Sequence, residues 1–169
     1  VIRTAVSLMA LEDKETKDNS HKANMRKAMR IFSKTPTAIA AFFRVRKGKN
    51  IITPKNNLSF SENFFHMCFR RVPSKEIVKA FDVSLILYAE HSFNVSTFTA
   101  RTITSSLSDI HGAITGAIAS LKGPLHGGAN EEVMHMMNKI KKPENALKWI
   151  NNALDKKEVV MGFGHRVYK

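Results

Sequence analysis

Three histidines stand in contexts that could support chemistry, and His126 is the best placed of them. His126 follows a Gly-Pro turn, precedes Gly127 and Gly128, and lies where a helical pattern begins. The dipole at a helix N-terminus disfavours an imidazolium, so this position indicates a neutral imidazole that donates a hydrogen bond. The small neighbours leave room for a ligand to approach. The alternative is a capping loop whose histidine is incidental.

The other two histidines share a polar or glycine-rich context. His91 lies in a polar stretch, 90–101, between two apolar segments. Buried polar groups must be paired, so this stretch predicts either a ligand pocket or a satisfied core network at a helix junction. His165 follows a Gly-x-Gly pair, which permits the backbone to approach a ligand closely. The separations, 126 − 91 = 35 and 165 − 126 = 39 residues, fit no metal-binding spacing within one helix, so we expect no metal.

The remaining histidines lack such a context. We expect His66 to lie in the core, and His21, His111 and His135 to be exposed or satisfied locally. The single cysteine, Cys68, excludes an internal disulfide and fits a reducing compartment. It lies in an apolar run, which favours a buried and unreactive thiol.

Helical periodicity connects these motifs almost throughout, and strands have almost no support, so the sequence predicts a mainly α fold. Pro36 is expected to start a new helix with Thr35 as its N-cap. The run from Ile77 to Tyr88 is expected to be a buried helix. The other predicted helices cover 2–10, 24–33, Ser59 or Ser61 to Phe69, a helix opening at Ser74, Asp109–Leu121, a helix from Glu131, and Asn145–Leu154.

The formal charge of +13 is unevenly distributed. Residues 14–55 hold twelve Lys or Arg against two acids. Aromatic residues do not interleave with these charges as a base-stacking platform requires. A solvated basic face is therefore the preferred interpretation, with attraction of an anionic ligand or a nucleic-acid site as alternatives. No apolar run reaches the roughly 20 residues that span a bilayer, and no signal peptide is visible. We expect neither a nucleic-acid nor a membrane partner.

Three motifs in order resemble the citrate synthase family. They are Glu90-His91 with Asn94–Arg101, Gly123–Glu131, and Gly162–Tyr168. The segment Leu87-Tyr88-Ala89-Glu90-His91 is especially similar to that of short bacterial-type members and of 2-methylcitrate synthases. The resemblance runs from about Val1 to Lys169. It implies a multi-helical fold in which residues 1–126 form part of a large helical domain and residues 127–169 begin a small domain.

The resemblance also implies a reaction. Acetyl-CoA or propionyl-CoA would condense with oxaloacetate, and hydrolysis of the thioester would give citrate or 2-methylcitrate and CoA. The CoA thioester would be a co-substrate, with no permanently bound cofactor. Members of the family usually form homodimers, and the small residues of 109–121 agree with this, so we expect a homodimer. A cytoplasmic location is favoured over the mitochondrial matrix. The choice between the two acyl groups stays open.

Site residues follow from the motifs by resemblance. His126 would donate a hydrogen bond to the thioester carbonyl, His165 would bind, polarise and protonate the oxaloacetate carbonyl, and His91 would hold oxaloacetate. Ser96 is a candidate for fixing the tautomer of His126, with Asn94 in the same supporting role. The candidate CoA contacts are Val159, Val160, Met161, Gly162, Phe163, Gly164 and Lys169.

Two features of the family have no match in this sequence. Its aspartate base and the arginines that clamp the carboxylates follow the Gly-His-Arg-Val-Tyr motif, and Asp155 does not match the aspartate. Members also begin upstream of Val1. Since a carbon acid needs a positioned base, we expect the 169-residue segment alone to be inactive. The alternative to an enzyme is a catalytically incomplete helical binding module of the same fold.

Overall fold

Helices make up the regular structure of the protein in a computed structural model that describes residues 1–90 and 94–164. No strand occurs within those ranges, which confirms the predicted mainly α class. In the same ranges, no helix combines the length and apolarity that crossing a membrane requires. The helices are α1 Ile2–Glu12, α2 His21–Val45, α3 Phe60–Phe69, α4 Lys75–Leu87, α5 Val95–Thr104, α6 Ile110–Leu121, α7 Gly128–Ile140 and α8 Ala146–Asp155.

The chain divides into two compact units, 1–119 and 120–169. In the first, Ala40, Met67 and Cys68 form a buried cluster at the contact of α2 with α3. In the second, the buried apolar side chains among residues 120–164 are Ile140 and Ala153, at the end of α7 and within α8. The predicted domain boundary, just after His126, lies a few residues beyond this division at 119/120. That boundary stays a prediction.

The N-cap of α3 is Ser59, one of the two caps predicted from the sequence. The Ser59 hydroxyl accepts from the Glu62 amide at 3.4 Å, and the Glu62 carboxylate accepts from the Ser59 amide at 2.8 Å. This reciprocal pair satisfies two amides that the helix itself leaves unpaired. Ser61, the alternative cap, lies inside α3 and donates to the Asp82 carboxylate.

The prediction that Pro36 starts a new helix is wrong. Pro36 lies inside α2, and the Thr35 hydroxyl donates to the Ile31 carbonyl at 2.7 Å instead of capping a helix. One apolar face continues across the proline, because Ile31 and Ile39, on either side of it, line the same groove. Buried residues lie on both sides of the proline, Ile31 before it and Ala40 after it, and their packing outweighs the roughly 3 kcal/mol that an internal proline costs.

The run 77–88 forms a helix as expected, but the prediction that it is buried is wrong. No residue of α4 is buried, and Leu87 is 74% exposed. α4 packs on α3 through Phe81, whose ring stacks on Phe64 at 5.3 Å between centroids. An apolar sequence shows that burying these side chains would be favourable in free energy. It does not show whether another element of the fold covers them.

The basic stretch 14–55 is only partly a solvated face. Lys27 is fully buried, and its Nζ donates to the carbonyls of Asp18 at 2.6 Å and Thr16 at 3.4 Å. Arg44 is also buried and donates to the Cys68 carbonyl at 3.2 Å. These two buried cations therefore stabilise loops and helix ends by donating to main-chain carbonyls.

Candidate functional site

The His126 loop, residues 122–127, joins α6 to α7 and is held together by its own main chain. The His126 amide donates to the Gly123 carbonyl at 3.0 Å, and the Gly128 amide donates to the same oxygen at 3.3 Å. The Gly127 amide donates to the Leu121 carbonyl at 3.0 Å. The last carbonyl of α6 is thus satisfied by the N-cap residue of α7, which fixes the course of the loop.

Gly127 is required by close packing within this loop. A Cβ added to it would lie 2.1 Å from the Leu121 carbonyl oxygen, a distance that no real side chain tolerates. Its φ of −76° is ordinary, so conformational freedom is not the reason for the glycine. At Gly128 an added Cβ would meet nothing closer than 3.7 Å. The two adjacent glycines therefore have different roles, one enforced by contact and one not.

His126 is half-buried and immediately precedes the N-cap of α7. The helix begins at Gly128, a few residues before the Glu131 expected from periodicity, because glycine and alanine carry no apolar signal that would mark its first turn. The amides of that first turn and the dipole of the helix stand directly after the histidine. The neutral, hydrogen-bond-donating imidazole expected from the sequence stays a prediction.

Asn94 and Ser96 form a capping arrangement at the start of α5. The Asn94 side-chain oxygen accepts from the Thr97 amide at 2.7 Å and from the Ser96 hydroxyl at 2.8 Å. The supporting roles expected for both residues toward His126 stay predictions.

The candidate CoA segment, 159–164, follows α8 in an irregular course. The Glu158 amide donates to the Ala153 carbonyl at 2.8 Å, which turns the chain back on the end of the helix. Gly162 and Gly164 have φ of +94° and +72°, a region that favours glycine. Phe163 between them is 76% exposed. The exposed, glycine-flanked backbone fits close approach of a ligand. His91, His165 and Lys169 lie outside the described residues.

A charge cluster near the end of α1 was missed by the sequence interpretation. Arg30 donates to Asp13 at 2.8 Å and to Glu15 at 2.8 Å, and Arg26 pairs with Glu15 as well. Hydrogen bonding to Arg30 holds the pKa of Asp13 below its usual range. Hydrogen bonds from Arg26 and then Arg30 lower the pKa of Glu15 to about 2. Asp13, Glu15 and Arg30 line a cavity of about 400 Å³.

His111 belongs to this cluster, so the expectation that it is exposed or satisfied locally fails. It is 1% exposed, with Nε2 3.5 Å from the Asp13 carboxylate and Nδ1 3.6 Å from that of Asp109. No signal of local spacing could have joined His111 to Asp13, because the contact forms only when α6 packs near the end of α1. Among residues 1–90 and 94–164, no group of three His, Cys, Asp or Glu side chains is arranged to hold a metal.

Comparison with known proteins gives this geometry its context. The family profile for the citrate synthase C-terminal domain matches residues 1–169. The chain belongs to the citrate synthase family. This finding confirms the resemblance inferred from the three motifs.

Named citrate synthase relatives cover the whole chain. The citrate synthase of Mycolicibacterium smegmatis is 51% identical over 169 residues, which are 100% of this chain and 45% of the relative. The 2-methylcitrate synthase 2 of Corynebacterium glutamicum is 54% identical over 177 aligned residues, again covering 100% of this chain and 45% of the relative. The chain therefore spans less than half the length of these relatives.

A solved structure agrees with the citrate synthase fold. It is a ternary complex of carboxymethyl coenzyme A and oxaloacetate with citrate synthase from Thermoplasma acidophilum. It superimposes with a TM-score of 0.79 at 36% identity, over 99% of this chain and 44% of that one.

Proposed function

We propose that the protein containing this chain condenses an acyl-CoA thioester with oxaloacetate and hydrolyses the product thioester, releasing CoA and a tricarboxylic acid. The observation that carries the proposal is the Thermoplasma complex, in which a protein of the same fold holds oxaloacetate and a CoA analogue. It aligns with nearly the whole chain. Relatives named for citrate and for 2-methylcitrate support acetyl-CoA and propionyl-CoA as the candidate thioesters.

His126 is proposed to polarise the thioester carbonyl. As the carbon next to that carbonyl loses a proton, negative charge develops on the carbonyl oxygen, and a fixed neutral donor stabilises it. The donor must already be in place, because an error of about 1 Å in its position costs about a hundredfold in rate. The main-chain hydrogen bonds of the His126 loop supply that fixed position.

The remaining roles complete the reaction. His91 is proposed to hold oxaloacetate, and His165 to bind, polarise and protonate its carbonyl as the new carbon–carbon bond forms. Ser96, anchored through Asn94, is proposed to fix the His126 tautomer. The Ser96 hydroxyl would donate to the ring nitrogen that carries no proton, so that the N–H of the other ring nitrogen stays available to the thioester carbonyl.

The candidate CoA contacts are the backbone of 159–164 and the Lys169 ammonium. Main-chain groups suit an adenine edge, because they present donors and acceptors at fixed spacing, and glycines at 162 and 164 leave them uncovered. A lysine suits a phosphate as a point charge. Replacing Gly162 with alanine should raise KM for the thioester, while an unchanged KM would contradict the assignment.

Two properties of the whole protein are also proposed. A homodimer is supported by the closely packing helix α6, although Gly116 is already required within the chain, where an added Cβ would meet Ile103 at 2.2 Å. A monomer by sedimentation would contradict the dimer. A cytoplasmic location is supported by the single cysteine. Recovery of the protein outside the cytosolic fraction would contradict it.

The decisive experiment measures CoA release by the complete enzyme with oxaloacetate and either thioester, in the parent protein and two variants. His126→Ala should lower kcat by about 100- to 1000-fold, the usual effect of losing one charge-stabilising donor. His135→Ala is the matched control, because His135 is an exposed histidine on α7 and should leave kcat within about twofold.

Three outcomes would contradict the proposal. Equal effects of the two variants would remove His126 from the mechanism. Absence of CoA release from a folded complete enzyme would favour the binding-module alternative. CoA release by the 169-residue chain alone would contradict the expectation that this segment lacks a positioned base.

A further inference from the structure

The C-terminal ends of α2 and α3 lie side by side in the first unit. The Arg44 guanidinium donates to the Cys68 carbonyl at 3.2 Å and also to the carbonyl of Asn50. The rings of Phe43 and Phe69 meet with 5.3 Å between centroids. Because these contacts join the last turns of the two helices, the residues that follow each helix emerge at one place.

Those residues are strongly cationic. We call the exposed side chains there the basic end patch, which consists of Arg46, Lys47, Lys49, Arg70 and Arg71. Two helix C-termini carry only about half a negative charge each, so together they offset about one of the five positive charges. The patch therefore has more positive charge than its own helix ends require.

The neighbouring sequence supplies almost no counter-charge. Between Asn19 and Lys75 the only acidic residue is Glu62. Its carboxylate accepts from the Ser59 amide at 2.8 Å in the capping box of α3. By contrast, the cations near the end of α1 are paired, since Arg26 and Arg30 bind Asp13 and Glu15. The cations near the end of α1 are thus bound by carboxylates of the same chain, whereas the sequence around the basic end patch offers almost none.

Apolar side chains are interspersed with the charges of the basic end patch. Val45 and Ile51 are each 58% exposed, and Phe69 is 51% exposed. The faces of Phe42 and Phe43 are occupied instead, by Arg46 at 5.5 Å and Lys47 at 4.4 Å from the ring centroids. A cation over a ring leaves less of that ring for stacking on nucleic-acid bases, which makes a single-stranded nucleic acid the less favoured ligand.

We propose that the basic end patch is a docking surface for an acidic segment of a partner protein in which carboxylates alternate with apolar residues. Guanidinium groups bind carboxylates through paired N–H donors, and three of the five cations are arginines. The exposed apolar side chains add contact area that a purely ionic ligand would leave unused. The patch lies apart in sequence from the three histidine motifs, so docking does not require the reaction proposed above.

The test is fluorescence anisotropy with a labelled twelve-residue peptide that alternates Glu and Leu. The fourfold variant Arg46→Gln, Lys47→Gln, Arg70→Gln and Arg71→Gln should weaken binding at least about tenfold, because each exposed ion pair contributes up to a few-fold. The matched control removes the same charge elsewhere, through Lys139→Gln, Lys142→Gln, Lys148→Gln and Lys156→Gln, and should stay within about twofold. Equal losses in both variants would show that only net charge matters and would overturn the proposal.

Further arms separate the apolar contribution and the competing ligands. Ile51→Ser should weaken binding of the Glu-Leu peptide several-fold but leave a Glu-Gly peptide unaffected, whereas equal effects on both peptides would contradict the apolar contacts. Single variants Lys49→Gln and Arg71→Gln repeat the test at lower charge loss, should the fourfold variant fold poorly. Failure of the peptide to bind, or tighter patch-dependent binding of phosphatidylserine vesicles or of a twelve-nucleotide RNA, would overturn the proposal.

Discussion

Replacing Gly127 with alanine should disrupt the His126 loop, and replacing Gly128 should not. The two glycines are adjacent, and both substitutions add one methyl group. The Cβ at position 127 would lie 2.1 Å from the Leu121 carbonyl oxygen and 3.1 Å from its carbon, both of which are backbone atoms that cannot rotate away. At position 128 the nearest atom, the Pro124 Cβ, would lie at an ordinary 3.7 Å.

The magnitude follows from what must move. Relieving the clash forces the loop away from Leu121, and overpacking of this kind costs about 1–3 kcal/mol. The same displacement lengthens the hydrogen bond from the Gly127 amide to that carbonyl, now 3.0 Å, which adds about 1 kcal/mol. We therefore expect Gly127→Ala to lower the free energy of unfolding by about 2–4 kcal/mol. Gly128→Ala should change it by no more than about 1 kcal/mol, in the stabilising direction, because alanine favours the helix.

Urea unfolding followed by tryptophan fluorescence measures this difference. The single tryptophan, Trp149, lies in α8 of the same unit as the loop and so reports on that unit. Amide hydrogen exchange at 126–128 adds a local readout, and Gly127→Ala should remove protection there first. Equal stabilities of the two variants would refute the argument from close packing. If Gly128→Ala lowered the free energy of unfolding and Gly127→Ala did not, the close contact would lie at position 128 and not at position 127.

Three further predictions concern the first unit. Lys27→Met should lower the free energy of unfolding by about 1–3 kcal/mol, measured by urea unfolding, because it removes both hydrogen bonds from the buried Lys27 ammonium to carbonyls of the 13–20 loop; exposed Lys34→Met should have little effect. The lowered pKa of Glu15, about 2, predicts stability that is present above pH 4.5 and is lost as the pH falls toward 2; Glu15→Gln should flatten this acid limb, and an unchanged limb would contradict the pairing. Burial raises the pKa of the Cys68 thiol, so thiol reagents should label Cys68 only as fast as the protein opens, and rapid labelling of the folded protein would contradict its burial.

Local signals predicted helix ends well. Ser59 or Ser61 was expected to cap the helix that ends at Phe69, and the structure shows Ser59 as the N-cap of α3. The Gly-Pro pair before His126 indicated the end of α6, and α6 ends at Leu121. Asn145 to Leu154 was predicted within a residue of α8. Each of these signals depends on hydrogen bonds or steric limits between residues a few positions apart, which a sequence contains directly.

The same local signals failed where contacts between residues distant in sequence decide the structure. Pro36 reads locally as a helix start, but one apolar face on both sides of it holds α2 together. Lys27 belongs to a basic run, but its position under the 13–20 loop buries it. His111 meets Asp13 only through the arrangement of α1 and α6. In each case the deciding partner is distant in sequence or depends on which side of a helix is covered.

The described candidate site segments lie at helix ends, and this shared position has a physical reason. His126 immediately precedes the N-cap of α7, Asn94 is the N-cap of α5, and 159–164 follows the end of α8. At the two N-terminal positions, unpaired amides and a positive dipole end favour anionic groups such as carboxylates and a developing enolate oxygen. The segment 159–164 follows a helix C-terminus instead, and there the glycines at 162 and 164 leave the backbone open to a ligand. Glycine, proline and asparagine mark the same positions because they end or cap helices. Residues that break helical periodicity therefore pointed to candidate chemistry here, whereas apolar periodicity alone did not determine which faces are buried.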